Sequence, residues 1–272
     1  MKQLSRFKPS LSQSWLIAAL LVAGSLAIGL VAGALALLGG GHALKCESLS
    51  YLLGMAFPFA YLFFVSAQSA WSDPVPLDHP SFGQLGALRY VLAAVAGMLS
   101  LSVLIEPMTA LMPMPDSIKA VFEEAFLNVP LWDGILSTCI LAPLCEEFLC
   151  RGMMLRGMLY QGRSPRSAIF WSALIFAVMH LNPWQAIPAF LIGLFFGWIY
   201  FRTGSLWTTI VLHCVNNSMS MLIARTCEGV EVDDGFIDLL SRWQYVALYS
   251  VCAVIFTAVI LILKRNEKTL SA

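Results

Sequence analysis

Three ionisable residues lie close together in a stretch of the chain that is otherwise apolar. Glu146, Glu147 and Arg151 are flanked by uncharged residues at 134–145 and 152–155. An ionisable side chain at membrane depth costs about 3 kcal/mol on insertion scales, so three of them together need partners. On a helix Glu147 and Arg151 face the same way, with the acid first, which is the favourable order for an ion pair. Glu146 is rotated by about 100° from Glu147.

This geometry assigns the two carboxylates different tasks. We predict that Arg151 neutralises Glu147 and that Glu146 is left free to face another helix. A cluster of charges that only fixes the positions of helices is the alternative interpretation.

Two histidines and an asparagine are candidates for the missing partners. His180 ends an apolar run one turn after Phe176, and His213 and Asn217 are four residues apart on one face of a later run. Taken singly, a histidine at a helix end or a His–Asn pair is more typical of helix packing. At about 1.5 Å per residue, however, Glu146, His180 and His213 share a zone from mid-membrane toward the outer face. Together they predict a functional site.

The composition predicts the elements that position these residues. The 272 residues are 59% hydrophobic and 12% charged, and the mean hydropathy is +0.78. Soluble domains carry about 25% charged residues, and a membrane span needs about 20 apolar residues. We therefore predict an all-α, polytopic transmembrane helix bundle of about eight spans, folded as a single membrane domain over 1–272. The predicted spans are 15–38, 49–67, 85–111, 132–160, 167–181, 184–201, 206–224 and 243–263.

Charge asymmetry predicts the orientation of this bundle. Basic residues collect at one end of the predicted spans: Arg151, Arg156, Arg163, Arg166, Arg202, Lys264, Arg265 and Lys268. The positive-inside rule makes this end cytoplasmic and places both termini inside, with the acidic segment 228–238 outside. The formal net charge is zero, so no nucleic-acid partner is expected. We expect the lipid bilayer to be a bacterial-type cytoplasmic membrane.

A short amphipathic helix is predicted within 115–130, on the outer membrane surface. Its apolar residues recur at helical spacing and oppose charged ones: Ile118, Val121, Phe122 and Phe126 against Lys119, Glu123 and Glu124. We interpret this interfacial helix as a structural cap, with a substrate gate as the alternative.

The cysteines favour neither a disulfide framework nor a thiolate metal site. The chain contains 7 cysteines, an odd and scattered set without a Cys-x-x-Cys pair. Cys145 and Cys150 bracket the acidic pair, which would suit a nucleophile. We favour the simpler interpretation of small buried apolar residues.

The ordered set of motifs resembles the CPBP family of intramembrane proteases, which comprises the CAAX proteases and bacteriocin-processing enzymes and is also called Abi or Rce1-like. The matching motifs are Glu146-Glu147-x-x-x-Arg151, Phe176-x-x-x-His180 and His213-x-x-x-Asn217, in the family's order. The lead-in Thr203-Gly-Ser-Leu-Trp207 is also similar, and the resemblance covers about 141–224. It implies a glutamate-type endopeptidase with a catalytic core at about 132–224.

The resemblance also implies a role for each residue. Glu146 would be the general base on a water molecule, helped by His180. His213 and Asn217 would stabilise the tetrahedral oxyanion, and Glu147 with Arg151 would hold the geometry as structural support. The implied substrate is a membrane-associated or lipidated peptide or a membrane protein, and no cofactor or metal is implied.

Two alternatives stay open. Glu146, His180 and His213 are also a ligand set suited to Zn²⁺ with one position left for water, although the sequence has no His-Glu-x-x-His motif. A non-proteolytic membrane protein, either a partner or immunity protein or a transporter, would also carry intramembrane charge. No inverted repeat supports the transporter.

Overall fold

The computed structural model describes residues 4–39, 46–68, 73–123, 128–226 and 235–266. Over these ranges the protein is an all-α bundle without strands. The helices are α1 (Leu11–Gly39), α2 (Glu47–Gln68), α3 (Gly86–Ala110, after a 3-10 turn at Gly83–Leu85), α4 (Asp116–Glu123), α5 (131–160), α6 (Pro165–Val178), α7 (Pro183–Thr203), α8 (Leu206–Thr226), α9 (Phe236–Leu239) and α10 (Arg242–Arg265).

Each of the predicted spans corresponds to a helix of the bundle. Among the described residues, five helices are long and apolar enough to cross a membrane, namely α1, α2, α3, α7 and α10. Helix α6 is apolar but has only 14 residues. Helices α5 and α8 carry the polar residues singled out above. The protein is therefore an integral membrane protein with an all-α architecture.

The predicted amphipathic segment is only partly described. Helix α4 covers Asp116–Glu123, whereas Glu124 and Phe126 of the predicted stretch lie outside the described residues. Its place on the outer membrane surface stays a prediction.

Helix α5 lies at the centre of the bundle. Leu149, Met153, Met154 and Leu155 are completely buried, and so is Arg151. This helix contacts α1, α2, α6, α7 and α8. A second apolar cluster joins α3, α7, α8 and α10. The charged motif of α5 therefore has helices on all sides, so that its partners come from the protein.

Helix α5 is not a regular α-helix. It begins and ends as α-helix, but Ile135–Leu141 and Phe148–Leu155 are π-helical. Pro143 explains the first π segment, because a proline lacks the N–H and its ring clashes with the preceding turn of an α-helix. The N–H of Ala142 already bonds to Ser137, five residues back. The next partner in this pattern, for the carbonyl of Thr138, would be Pro143, which has no N–H to donate.

Buried polar contacts at the basic end fix the connections to the bundle. Arg156 is 2% exposed and donates to the carbonyls of Phe7 at 2.7 Å and Val75 at 3.1 Å. Asp78 accepts the N–H of Leu206 at 2.7 Å and so caps α8. The loop before α3 therefore holds the start of the helix that carries His213.

Candidate active site

Glu147, Arg151 and His213 form a buried chain of contacts that ends at Glu146. Arg151 Nη1 donates to Glu147 Oε1 at 2.8 Å, and both side chains are fully buried. The same oxygen lies 3.0 Å from His213 Nδ1. On the other side of the ring, His213 Nε2 is 3.9 Å from Glu146 Oε2. The imidazole therefore lies between the two neighbouring carboxylates, and the ion pair expected from the spacing is present.

The ion pair determines which nitrogen of His213 carries a proton. An ionised carboxylate only accepts hydrogen bonds, so the contact with Glu147 requires a proton on Nδ1. In the neutral ring Nε2 then carries a lone pair, and in the imidazolium it is an N–H donor. Whichever form is present, Nε2 is the atom directed at Glu146.

The side chain of Arg151 is enclosed by aromatic rings. Its guanidinium lies 4.8 Å from the ring centroid of Phe176 and 5.6 Å from that of Phe196. Nη2 donates to the carbonyl of Gly193 at 3.3 Å. Cation–π contacts of this kind stabilise a cation that has left water. They come from α6 and α7, which hold Arg151 in place from the side opposite Glu147.

Phe176 also separates the two histidines. Its ring is perpendicular to that of His180 at 5.1 Å and to that of His213 at 5.7 Å between centroids. The side chain is 3% exposed. The sequence interpretation of Phe176 as a shield for His180 is therefore incomplete, because the ring contacts three site residues at once.

His180 is presented by a tight turn at the end of α6. Its Nδ1 lies 2.8 Å from the carbonyl of Phe176, and the following Leu181 has a φ of +58°. A positive φ is unusual for a bulky residue and occurs at turns and functional sites. Asn182 then caps α7 by accepting the N–H of Gln185 at 2.9 Å. Among the described contacts His180 makes no hydrogen bond to Glu146.

Asn217 bonds to the irregular part of α5. Its Nδ2 donates to the Thr138 carbonyl at 2.9 Å, the oxygen for which Pro143 supplies no N–H. The neighbouring Asn216 turns toward α3, where its Oδ1 accepts the hydroxyl of Ser102 at 3.0 Å. Asn217 keeps one N–H of its amide for another acceptor. The structure thus joins α8 to α5 at two points, through His213 and through Asn217.

Sequence reasoning missed Tyr51, which comes from α2. The Tyr51 hydroxyl donates to Glu146 Oε1 at 3.2 Å. A tyrosine near the start of a predicted span is usual at a membrane interface, so its type and position gave no signal. The contribution of Phe196 was equally hidden, since it is one of many phenylalanines in apolar runs.

The structure does not assemble the alternative zinc ligands. Among the described residues no group of three or more His, Cys, Asp or Glu side chains is arranged to hold a metal ion. Cys145 and Cys150 are both free, and Cys150 is completely buried. Cys227 lies outside the described residues.

The comparisons with known proteins concern the segment that contains this site. Residues 128–219 match the family model described as type II CAAX prenyl endopeptidase Rce1-like. No curated protein and no solved structure matches the chain. The matched segment contains the site residues of α5, α6 and α8: Glu146, Glu147, Arg151, His180, His213 and Asn217. Through this segment the chain belongs to the CPBP family, as an Rce1-like CAAX-type endopeptidase.

Proposed function

We propose that the protein cleaves membrane-associated or lipidated peptides with Glu146 as the general base on a water molecule. The observation that carries this proposal is the placement of His213 between Glu146 and the buried Glu147–Arg151 pair. A carboxylate and an oriented imidazole side by side can hold a water molecule and accept its proton. The motif residues of the family then act as one unit.

In the proposed reaction, Glu146 Oε2 takes a proton from water as the water oxygen attacks the peptide carbonyl carbon. The tetrahedral oxyanion is stabilised by donors aimed at it, and each such donor typically contributes about 3 kcal/mol. When the C–N bond breaks, Glu146 returns the proton to the leaving amine. No acyl-enzyme and no cysteine nucleophile is needed.

The proposed oxyanion donors are His213 and Asn217. Nε2 of His213 donates only in the imidazolium form, and an imidazolium here has a carboxylate on either side. Asn217 has its second amide N–H available after it bonds to Thr138. Glu147 and Arg151 orient His213 in the way that the acidic member of a catalytic triad orients its histidine. His180 is proposed to help Glu146 through Nε2, because its Nδ1 is engaged by the helix.

An apolar groove supports a lipidated substrate. It has a volume of about 710 Å³ and lies between α3, α6 and α7, lined by Met108, Leu174, Ala177, Val178, Pro183, Ala186, Ile187, Phe190 and Leu191. Ala177 and Val178 lie within one turn of His180. The matching family is described as prenyl endopeptidases. We propose that the lipid chain of the substrate occupies this groove and brings the adjoining peptide toward Glu146.

Peptidomics of membranes tests the proposed function. Membranes containing the wild-type protein should release peptides that membranes with Glu146→Gln do not release, at equal protein levels. With a released sequence in hand, a prenylated and an unmodified form of the substrate peptide are compared with the purified protein. Faster cleavage of the prenylated form is expected. Identical peptide sets from both membranes would instead favour a non-proteolytic partner, immunity protein or transporter.

A chelator arm distinguishes the zinc alternative. We propose chemistry without a metal, so cleavage should persist after dialysis against a strong chelator. Stoichiometric zinc in the purified protein that is lost in a Glu146, His180 or His213 variant would overturn this part of the proposal.

A further inference from the structure

We propose that Tyr51 is a positioning residue for Glu146 and that a buried cap at Asp133 holds α2 in the register this contact needs. The inference rests on the proposed function of Glu146 as the base. Tyr51 and its helix lie outside the family segment 128–219. The motifs of the family therefore do not account for every group around the carboxylate.

The two oxygens of Glu146 have different neighbours. Oε1 accepts the Tyr51 hydroxyl at 3.2 Å, whereas Oε2 faces His213 Nε2 at 3.9 Å. A carboxylate fixed at one oxygen by a donor cannot rotate freely about its terminal torsion, which is otherwise broad. Tyr51 therefore keeps Oε2 on the side of His213, where the proposed mechanism requires the base.

Asp133 fixes the start of the helix that carries Tyr51. Its carboxylate is completely buried, and it accepts the N–H of Glu47 at 2.7 Å, the N–H of Ser48 at 3.0 Å and the Ser48 hydroxyl at 2.5 Å. Cys46 Sγ lies 3.7 Å away. Backbone N–H groups at a helix start have no partner within the helix, and a carboxylate there is stabilised by the helix dipole. Asp133 thus caps α2 from α5.

A second contact holds α2 further along. The rings of Phe59 in α2 and Phe148 in α5 stack with centroids 5.5 Å apart and an interplanar angle of 22°. Along α2, Tyr51 lies between Ser48 and Phe59, and along α5, Glu146 lies between Asp133 and Phe148. The cap and the stacked rings therefore bracket the hydrogen bond on both helices. A slip of α2 along α5 would break all three contacts.

Tyr51→Phe removes only the hydroxyl, and Tyr61→Phe makes the same change on the same helix. Tyr61 packs edge-on against Phe7 and has no described contact with Glu146. For Tyr51→Phe we expect kcat to fall about tenfold, the equivalent of one hydrogen bond, with KM within about twofold of the wild type. Tyr61→Phe should retain the wild-type values. An unchanged kcat in Tyr51→Phe would overturn the positioning role.

Asp133→Cys tests the cap with its own rescue. Cys46 is placed to form a disulfide with the new cysteine, which replaces the cap by a covalent tether. The reduced variant should lose kcat as Tyr51→Phe does, and oxidation should restore most of it. Tyr51→Phe added to oxidised Asp133→Cys should abolish that recovery. A reduced variant with wild-type kcat would show that the cap does not act through Tyr51.

A measurement without substrate separates this inference from the proposed function. The change in Tm caused by Tyr51→Phe is compared in the wild-type and Glu146→Ala backgrounds. Because contacting groups are coupled, the loss should be smaller by at least about 2 °C when Glu146 is absent. Equal Tm losses in both backgrounds would overturn the contact itself. If the coupling is present but the wild-type protein cleaves nothing, the proposed function fails and the Tyr51–Glu146 contact stands.

Discussion

At the scale of single residues, the site is a chain of charges in which each member determines the state of the next. Arg151 ionises Glu147, Glu147 fixes the proton on His213 Nδ1, and His213 Nε2 is left facing Glu146. Burial makes this chain costly unless it is complete. An unpaired charge away from water is far less favourable than a paired one.

Arg151→Ala should therefore destabilise the protein strongly. The substitution leaves Glu147 buried without its cation and empties the space between Phe176 and Phe196. We expect the free energy of unfolding in detergent micelles to fall by about 3–5 kcal/mol. The matched control is Arg163→Ala, since Arg163 is exposed. Its effect should stay within about 0.5 kcal/mol.

A double substitution checks the physical reason. Glu147→Gln combined with Arg151→Met removes both charges and keeps much of the volume, so it should be more stable than Arg151→Ala alone. If the double variant is the less stable of the two, the loss of packing lowers the stability of this site more than the burial of an unpaired charge does.

Spacing was sufficient to predict the Glu147–Arg151 pair, because both residues belong to one helix and local geometry fixes their separation. It could not predict that His213 would join that pair, since this requires the packing of α8 against α5. Tyr51 was beyond reach for the same reason. Contacts between helices distant in the chain leave no periodic signal in either segment.

At the scale of elements, the irregular helix α5 explains why Asn217 is needed where it is. Pro143 leaves the Thr138 carbonyl without a helical donor, and Asn217 Nδ2 takes that place at 2.9 Å. π-Helical segments often occur at functional sites. Here the irregularity gives α8 a point of attachment one turn beyond His213.

A double-mutant cycle between Asn217 and Pro143 tests this account. Asn217→Ala leaves a buried carbonyl without a partner and should cost about 1–3 kcal/mol of unfolding free energy. In a Pro143→Ala background the new N–H can bond to Thr138, so the same substitution should cost less. The measurement is the difference between the two costs. Equal costs would show that Asn217 does not replace the missing backbone donor.

The positions of the helices were predictable and their internal geometry was not. Long apolar runs separated by polar turns mark helices α1 to α3 and α10 clearly, because a span needs a minimum length. The π segments of α5 have no such signature. Pro143 marked a disturbance in that helix, but the tertiary contacts of α5 determine how the chain accommodates it.

At the scale of the whole molecule, the matched segment is enclosed by helices that the family model does not cover. Helices α1, α2, α3 and α10 supply lipid-facing apolar surface, as the exposure of Leu30, Phe64, Leu92 and Val254 shows. One of them, α2, also reaches the site. The surrounding helices therefore both embed the segment 128–219 in the bilayer and complete its polar centre.

The charge distribution predicts that both ends of the chain are cytoplasmic. Fusing a fluorescent protein that folds only in the cytoplasm to either end should give fluorescence. An alkaline phosphatase, active only outside, should be inactive at the same positions and active when inserted after Pro115, before α4. The reverse pattern would invert the proposed orientation, with α4 on the cytoplasmic surface.

The central claim is that Glu146 supplies the base. The most direct measurement is the turnover of a prenylated substrate peptide by the purified protein in lipid, with Glu146→Gln compared with wild type. Glu123→Gln, which changes an exposed carboxylate of α4, is the matched control. We predict that Glu146→Gln lowers kcat by about 10²–10⁴-fold with its Tm preserved, while Glu123→Gln cleaves at the wild-type rate. A Glu146→Gln protein that retains a kcat close to wild type would contradict the account.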